Sequence, residues 1–129
     1  MTDEARGALH YDGLGIRLIE EIPELEKAYR KEIEWWGEEK PGPHVIYGDV
    51  LTPHIIRLLE SGDNPEAIKR AFGLLEMLIA DEDIEVQAVA VVTVLDRLVG
   101  NAEWMRLMKP YAGPLATKAV QELTEGSQD

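Results

Sequence analysis

His44, Asp49 and His54 are the residues whose types could do chemistry together. Imidazole and carboxylate within eleven positions could supply a general base, or two nitrogen ligands and one oxygen for a metal ion. Their spacing argues against both. The two histidines are ten residues apart rather than four, and no HExxH pattern surrounds either. The run "DEDIE" at 81–85 looks like the start of a calcium loop. The turn glycine and bidentate glutamate of such a loop would fall at Val86 and Val92, which excludes it. Ser61 and Ser127 are the only serines, and neither sits in a nucleophile elbow. "GLG" at 13–15 lacks the remaining glycines and the preceding strand of a phosphate loop. With no cysteine in the chain, there is no thiolate ligand, thiol nucleophile or disulfide. The expectation is a protein with no catalytic residues, no metal site and no cofactor. A hydrolase or metal-dependent enzyme built on His44, Asp49 and His54 is the enzymatic rival.

Charge says more. The net charge of −12 is concentrated in two places. Residues 20–40 hold eight acids against four bases, and residues 60–85 hold eight against two. Such a surface repels nucleic-acid phosphates and anionic membranes, and it steers a basic protein toward contact. The segment "MTDEARGALHYDG" has no basic flank or apolar run of a signal peptide, and no stretch is long and apolar enough to span a bilayer. A cytoplasmic location is expected.

The elements that must position these groups are helical nearly throughout. Leu14, Leu18 and Ile19 predict a short first helix. Pro23 suits the first turn of a second, whose stripe is Ile22, Leu25, Tyr29, Ile33 and Trp36, ending at Gly37. A third is predicted from Asp49, with Leu51, Ile55, Leu58 and Leu59 on one face and "ESGD" at its end. Asn64 caps a fourth with Pro65 at its first position, and Ile68, Phe72, Leu75 and Ile79 follow. "EVQAVAVVTVLDRLV" is rich in β-branched residues, but its length, acidic start and Gly100-Asn101 stop favour a fifth helix. Being apolar almost all round, that helix belongs at the centre. Glu103 to Lys109 makes a sixth, and Pro114 opens a last one with Leu115, Ala119, Val120 and Leu123 on one face. The fold expected is all-α: one domain over residues 1–129, six or seven helices in antiparallel hairpins, HEAT-like stacking open, with 1–12 and 124–129 frayed.

Between the second and third helices runs "WWGEEKPGPHVIYGDV", residues 35–50. Trp36 and Val45 to Tyr47 are expected in the core, His44 extended beside Pro43, and Asp49 as the cap of the third helix. His54 is expected as a satisfied core histidine. Trp35 lies about 100° round the helix from Trp36, among Glu34, Glu38 and Glu39, where it either covers the loop or anchors a partner.

At this stretch, "PGPHVIYGDVLTPHIIRLLES", with "EAIKRAFGLLEMLIADEDIEVQAVAVVTVLDRL" and "YAGPLA" after it, the chain resembles a family of small, acidic, all-helical bacterial proteins. Many of these are similar to immunity proteins of polymorphic toxin systems, encoded beside contact-dependent or type VI-delivered toxins. The likeness covers residues 20–120. It implies a non-enzymatic protein that binds and blocks a toxin domain, and it brings no catalytic residues. A toxin acting on nucleic acid or a nucleotide would be basic around its active site, which suits an acidic inhibitor. The expected contact residues are Glu34, Trp35, Glu38 and Glu39 in one cluster and Asp81, Glu82, Asp83 and Glu85 in the other. The alternative is a helical adaptor for another basic partner.

Overall fold

The computed structural model describes residues 9–126, with seven helices and no strand among them. A 3-10 turn, Tyr11–Gly13, leads into α1, Leu14–Glu21; a second, Pro23–Leu25, leads into α2, Glu26–Trp36. Pro43–Ile46, Tyr47–Leu51 and Thr52–Ser61 run on as one helix, α3, and α4 is Pro65–Ile79. Ile84–Ala88, Val89–Leu95 and Asp96–Val99 form α5, followed by α6, Ala102–Met108, and α7, Pro114–Gly126.

Local chemistry accounts for most of the boundaries. Asn64 Oδ1 accepts the Ala67 N–H at 3.2 Å, with Pro65 in the first turn of α4. Asn101 Oδ1 accepts the Glu103 and Trp104 N–H groups at 3.0 and 3.1 Å to open α6. Gly62, at φ 67°, closes α3 in the left-handed conformation that glycine takes without a Cβ penalty. A less obvious cap opens α7. Glu76 reaches across from α4, and its carboxylate accepts Leu115 N–H at 3.2 Å and Ala116 N–H at 2.6 Å. Gly113 makes room for it, since a Cβ there would stand 2.5 Å from Glu76 Cδ.

The core lies among α3, α4, α5 and α7. Leu51, Ile55, Leu75, Leu78, Val89, Ala90, Val94, Leu95 and Ala116 are all buried in it. Tyr47, wholly buried, donates its hydroxyl to the Leu14 carbonyl at 2.9 Å and ties α1 to this centre. The fifth helix is central as predicted, but it is not covered all round: Ile84 and Val92 face solvent.

Both long helices widen into a π-helical stretch that periodicity did not reveal. In α3 the cause is Pro53, which has no N–H and crowds the carbonyl four residues back. The Thr52 N–H and hydroxyl both reach instead to Tyr47 O. In α5 the stretch is the run Val89–Leu95, rich in β-branched residues, which are stiff at χ1. The two wide turns face each other. Thr93 Cγ2 comes 3.3 Å from where a Gly48 Cβ would sit, and Thr93 Oγ1 meets His44 Nδ1.

Several expectations are corrected here. The third helix starts at Pro43, six residues before Asp49; Gly42 is its extended N-cap, and His44 is already helical. The restriction before a proline falls on Gly42, not His44. Asp49 therefore lies inside the π stretch and caps nothing. Ile46 and Tyr47 are buried, whereas Val45 is only half-buried. In α7, Leu115 is exposed and Ala116 takes the inward position. Leu9 and Tyr11 pack against the core. Helix α7 runs to Gly126; residues 1–8 and 127–129 lie outside the described residues.

Candidate functional site

The first acidic cluster sits at the end of a helix that the core barely holds. No residue of α2 is fully buried; Tyr29 and Ile33 are its contacts with the core. Trp36 was expected inside. It is instead half-buried at the edge, outside the core cluster, with its indole N–H donated to Glu32 at 3.0 Å. Trp35 packs against it edge to face, with ring centroids 5.3 Å apart. Trp35 itself is 78% exposed. Glu34, Glu38 and Glu39 are exposed around it and form no ion pair among the described residues. Trp35 therefore does not cover the loop.

The second cluster divides by role. Asp81 Oδ1 accepts the Leu9 N–H at 3.1 Å and its Oδ2 accepts the Asp83 N–H at 2.9 Å. Asp83 in turn caps α5 by accepting the Glu85 N–H at 2.9 Å. These two carboxylates build the turn. Glu82 and Glu85 are exposed, and between them stands Ile84, 75% exposed. Among the described residues Trp35 and Ile84 are the two most exposed large apolar side chains. Each lies within one of the two acidic clusters.

Residues 9–13 join the clusters. Leu9 is held by Asp81, and the charges of Glu85 and Asp12 lie close enough to act on the Tyr11 phenol. Burial first, then those two carboxylates, raise its pKa above the ordinary tyrosine value. The Tyr11 ring tilts over His44 at 6.1 Å, and its hydroxyl lies 4.0 Å from the Cβ position of Gly42. Asp12, Gly37 and Gly42 share the lining of one hollow of about 550 Å³. The tip of α2 and the start of α5 therefore flank the same short segment. Nothing in the sequence pattern pointed to that bridge, because its contacts are some thirty to seventy residues apart along the chain.

The same hollow continues along the side of the molecule. It shares Ile16, Tyr29 and Ile33 with a second, of about 370 Å³, that reaches Ile19, Arg30 and Glu34. Together they form a trough between α1 and α2. Its floor is close-packed at Gly15, where a Cβ would lie 3.1 Å from both Ile46 Cδ1 and Tyr29 Cε1.

His44, Asp49 and His54 do not converge. His44 turns to Thr93 and Tyr11. Asp49 faces Glu32, whose carboxyl is held above the usual range by the hydrogen bond they share and by burial; the Trp36 N–H opposes this. His54 sits near Glu24, Arg57 and Arg70, with its pKa lowered chiefly by burial, and its Nε2 has no hydrogen-bond partner. It is thus not the satisfied histidine expected. Among the described residues no group of three or more His, Asp or Glu side chains is placed to hold a metal ion. Nor is any helix among them long and apolar enough to cross a membrane.

Residues 16–125 match the model of a family described as "Domain of unknown function (DUF7674)", and the chain belongs to that family. No curated protein and no solved structure matches the chain.

Proposed function

We propose that this member of the DUF7674 family is a non-enzymatic binding protein, and specifically an immunity protein. In this reading it works in the cytoplasm, neutralising a cognate bacterial toxin domain by holding it in a tight non-covalent complex through an acidic surface. One observation carries the binding reading: Trp35 and Ile84, the two most exposed large apolar side chains among the described residues, each stand among carboxylates that form no ion pair there. Exposed tryptophan among charges is the make-up of an interface hot spot, where the apolar group supplies the anchor once water is excluded. The surrounding acids bring a basic partner in quickly, and they keep nucleic acid and anionic membranes away. The toxin as partner follows from the resemblance of residues 20–120 to immunity proteins, and a toxin domain that grips phosphates has the complementary charge.

The experiment is co-expression with the C-terminal domain encoded by the neighbouring gene. A stable 1:1 complex that suppresses toxicity supports immunity. The contacts are then tested with Glu38, Glu39, Glu82 and Glu85 reversed to lysine together, leaving Asp81 and Asp83 in place because they cap the turn and α5. The off-rate should rise by about tenfold or more, as for loss of several steering and contacting charges; unchanged affinity would sink the surface assignment. A complex with a basic protein that is not toxic would make the chain an adaptor using the same surface.

A further inference from the structure

We propose that the trough between α1 and α2 receives a basic amphipathic helix of the protein partner. This rests on the binding reading above and adds where, and by what element, the partner is held. Ile16 and Ile19 lie three residues apart on one face of α1, and Tyr29 and Ile33 four apart on one face of α2. Residues at those spacings form a ridge along a helix. Two ridges on packed helices leave between them a groove that a third helix fills with residues at i, i+3 or i+4, and i+7. Ile16 is 52% exposed, so the groove has apolar surface still in water.

The banks decide the sign of the occupant. On α2, Arg30 is taken by Glu26, through Nε at 3.1 Å and Nη2 at 2.7 Å. Glu34 beside it has no cation among the described residues. On α1, Arg17 is shared between Glu20 and Glu21, both at 3.7 Å, so two carboxylates divide one charge. At the mouth Asp12 and Lys40 both line the hollow, with Glu38 and Glu39 next to Lys40 in the chain. With Lys27 and Lys31 counted, residues 12–40 hold nine acids against five bases, so the surroundings of the trough are negative. A second copy of this chain, itself at −12, would bring like charge to it. A helix with leucine-type residues on one face and lysine or arginine on its flanks meets both the floor and the rim.

The test uses a synthetic helical peptide of leucine and lysine, with leucines at i, i+3, i+4 and i+7, titrated calorimetrically at 0.15 M salt. A scrambled peptide of the same composition is the reference, and methyl NMR of isoleucine-labelled protein reports the place. Binding at 1:1 is expected, with shifts at Ile16, Ile19 and Ile33. Affinity should fall about tenfold for the scrambled peptide and for Ile16→Lys, as for loss of an apolar anchor. Val92→Lys, an equally exposed apolar-to-lysine change on α5, should leave it within twofold, and both variants should keep the wild-type thermal midpoint. Equal binding of the scrambled peptide, or equal weakening by Val92→Lys, overturns the proposal. With the toxin domain in hand the two readings separate. Unchanged toxin affinity in Ile16→Lys overturns the trough and leaves immunity standing. A peptide seated in the trough, with no toxin neutralised, keeps the trough and removes immunity.

Discussion

Helices α4 and α2 carry comparable apolar stripes in sequence and end in opposite circumstances. In α4 seven residues are buried, from Ala67 to Leu78; in α2 none is. The stripe of α4 faces α3, α5 and α7 at once, whereas that of α2 meets α1 and one turn of α3 and then runs past the edge of the molecule. An apolar periodicity states which side of a helix turns inward. How much lies on that side to receive it is a matter of neighbours, and α2 has few. Its leftover apolar surface, Trp35 and the bank of the trough, is where a partner would contribute.

The comparison is most easily broken in the core. Leu75→Ala, at a site of zero exposure, should cost about 3 kcal/mol by urea unfolding, whereas Ile33→Ala in α2 should cost about 1 kcal/mol or less. Similar losses would mean that α2 is held as firmly as α4. Trp35→Ala should reverse the pattern. It leaves stability within about 0.5 kcal/mol and weakens the partner complex by about 2 kcal/mol, roughly thirtyfold. Gly113→Ala tests the other duty of α4, since the new Cβ displaces Glu76 from the start of α7. A loss of about 1.5 kcal/mol is expected, the worth of a helix cap with some overpacking. An unchanged unfolding midpoint would show that the cap is dispensable.

Acid should reach the α2 side through two groups. His54 has a folded pKa below its ordinary 6.5, so the unfolded chain takes up a proton first and stability declines as pH falls below about 6.5. Glu24 is also lowered, by its paired hydrogen bonds from Arg70 at 3.0 and 2.7 Å. Its contribution is present above about 4.5 and is lost as pH falls through its folded value. Both act in the same direction, so the urea midpoint should decline in two stages on acidification, and His54→Gln should remove the first. The smallest effect belongs to Glu32. Its raised pKa means that its ionised form is disfavoured beside Asp49, and stability falls as pH rises through that range. Glu32→Gln should stabilise at neutral pH by a few tenths of a kcal/mol, because glutamine still accepts the Trp36 N–H.

The helical class, the caps at Asn64 and Asn101 and the stripe of α4 were legible because each depends on residues within a few positions. Pro43 carried the same signal as Pro65, a proline at the head of a helix, but the glycines and prolines around it read as loop. The start of α3 was consequently placed six residues late, and Asp49 took a capping role that belongs to Gly42. Trp36 was placed in the core by phase alone. Asp81 and Asp83 were grouped with Glu82 and Glu85 by charge, although backbone N–H groups engage the two aspartates and leave the two glutamates free. Asp83 is followed two residues later by the N–H it caps, so that part was within reach of local reading. The Leu9–Asp81 bond and the approach of Tyr11 to Glu85 were not, because they exist only once the helices have packed.

The arrangement of the tryptophans has an optical consequence. Trp36 and Trp104 are half-buried, and their indole N–H groups are committed to Glu32 and Glu60, while Trp35 stands in water among carboxylates. A collisional quencher will therefore sort them by charge as well as by access. Caesium gathers near the carboxylates and should extinguish Trp35 emission, whereas iodide is held off by the same field. The ratio of the two quenching constants reads the local potential at this single side chain without any label, and a basic partner settling over Trp35 would lower the caesium constant toward that of the sheltered pair.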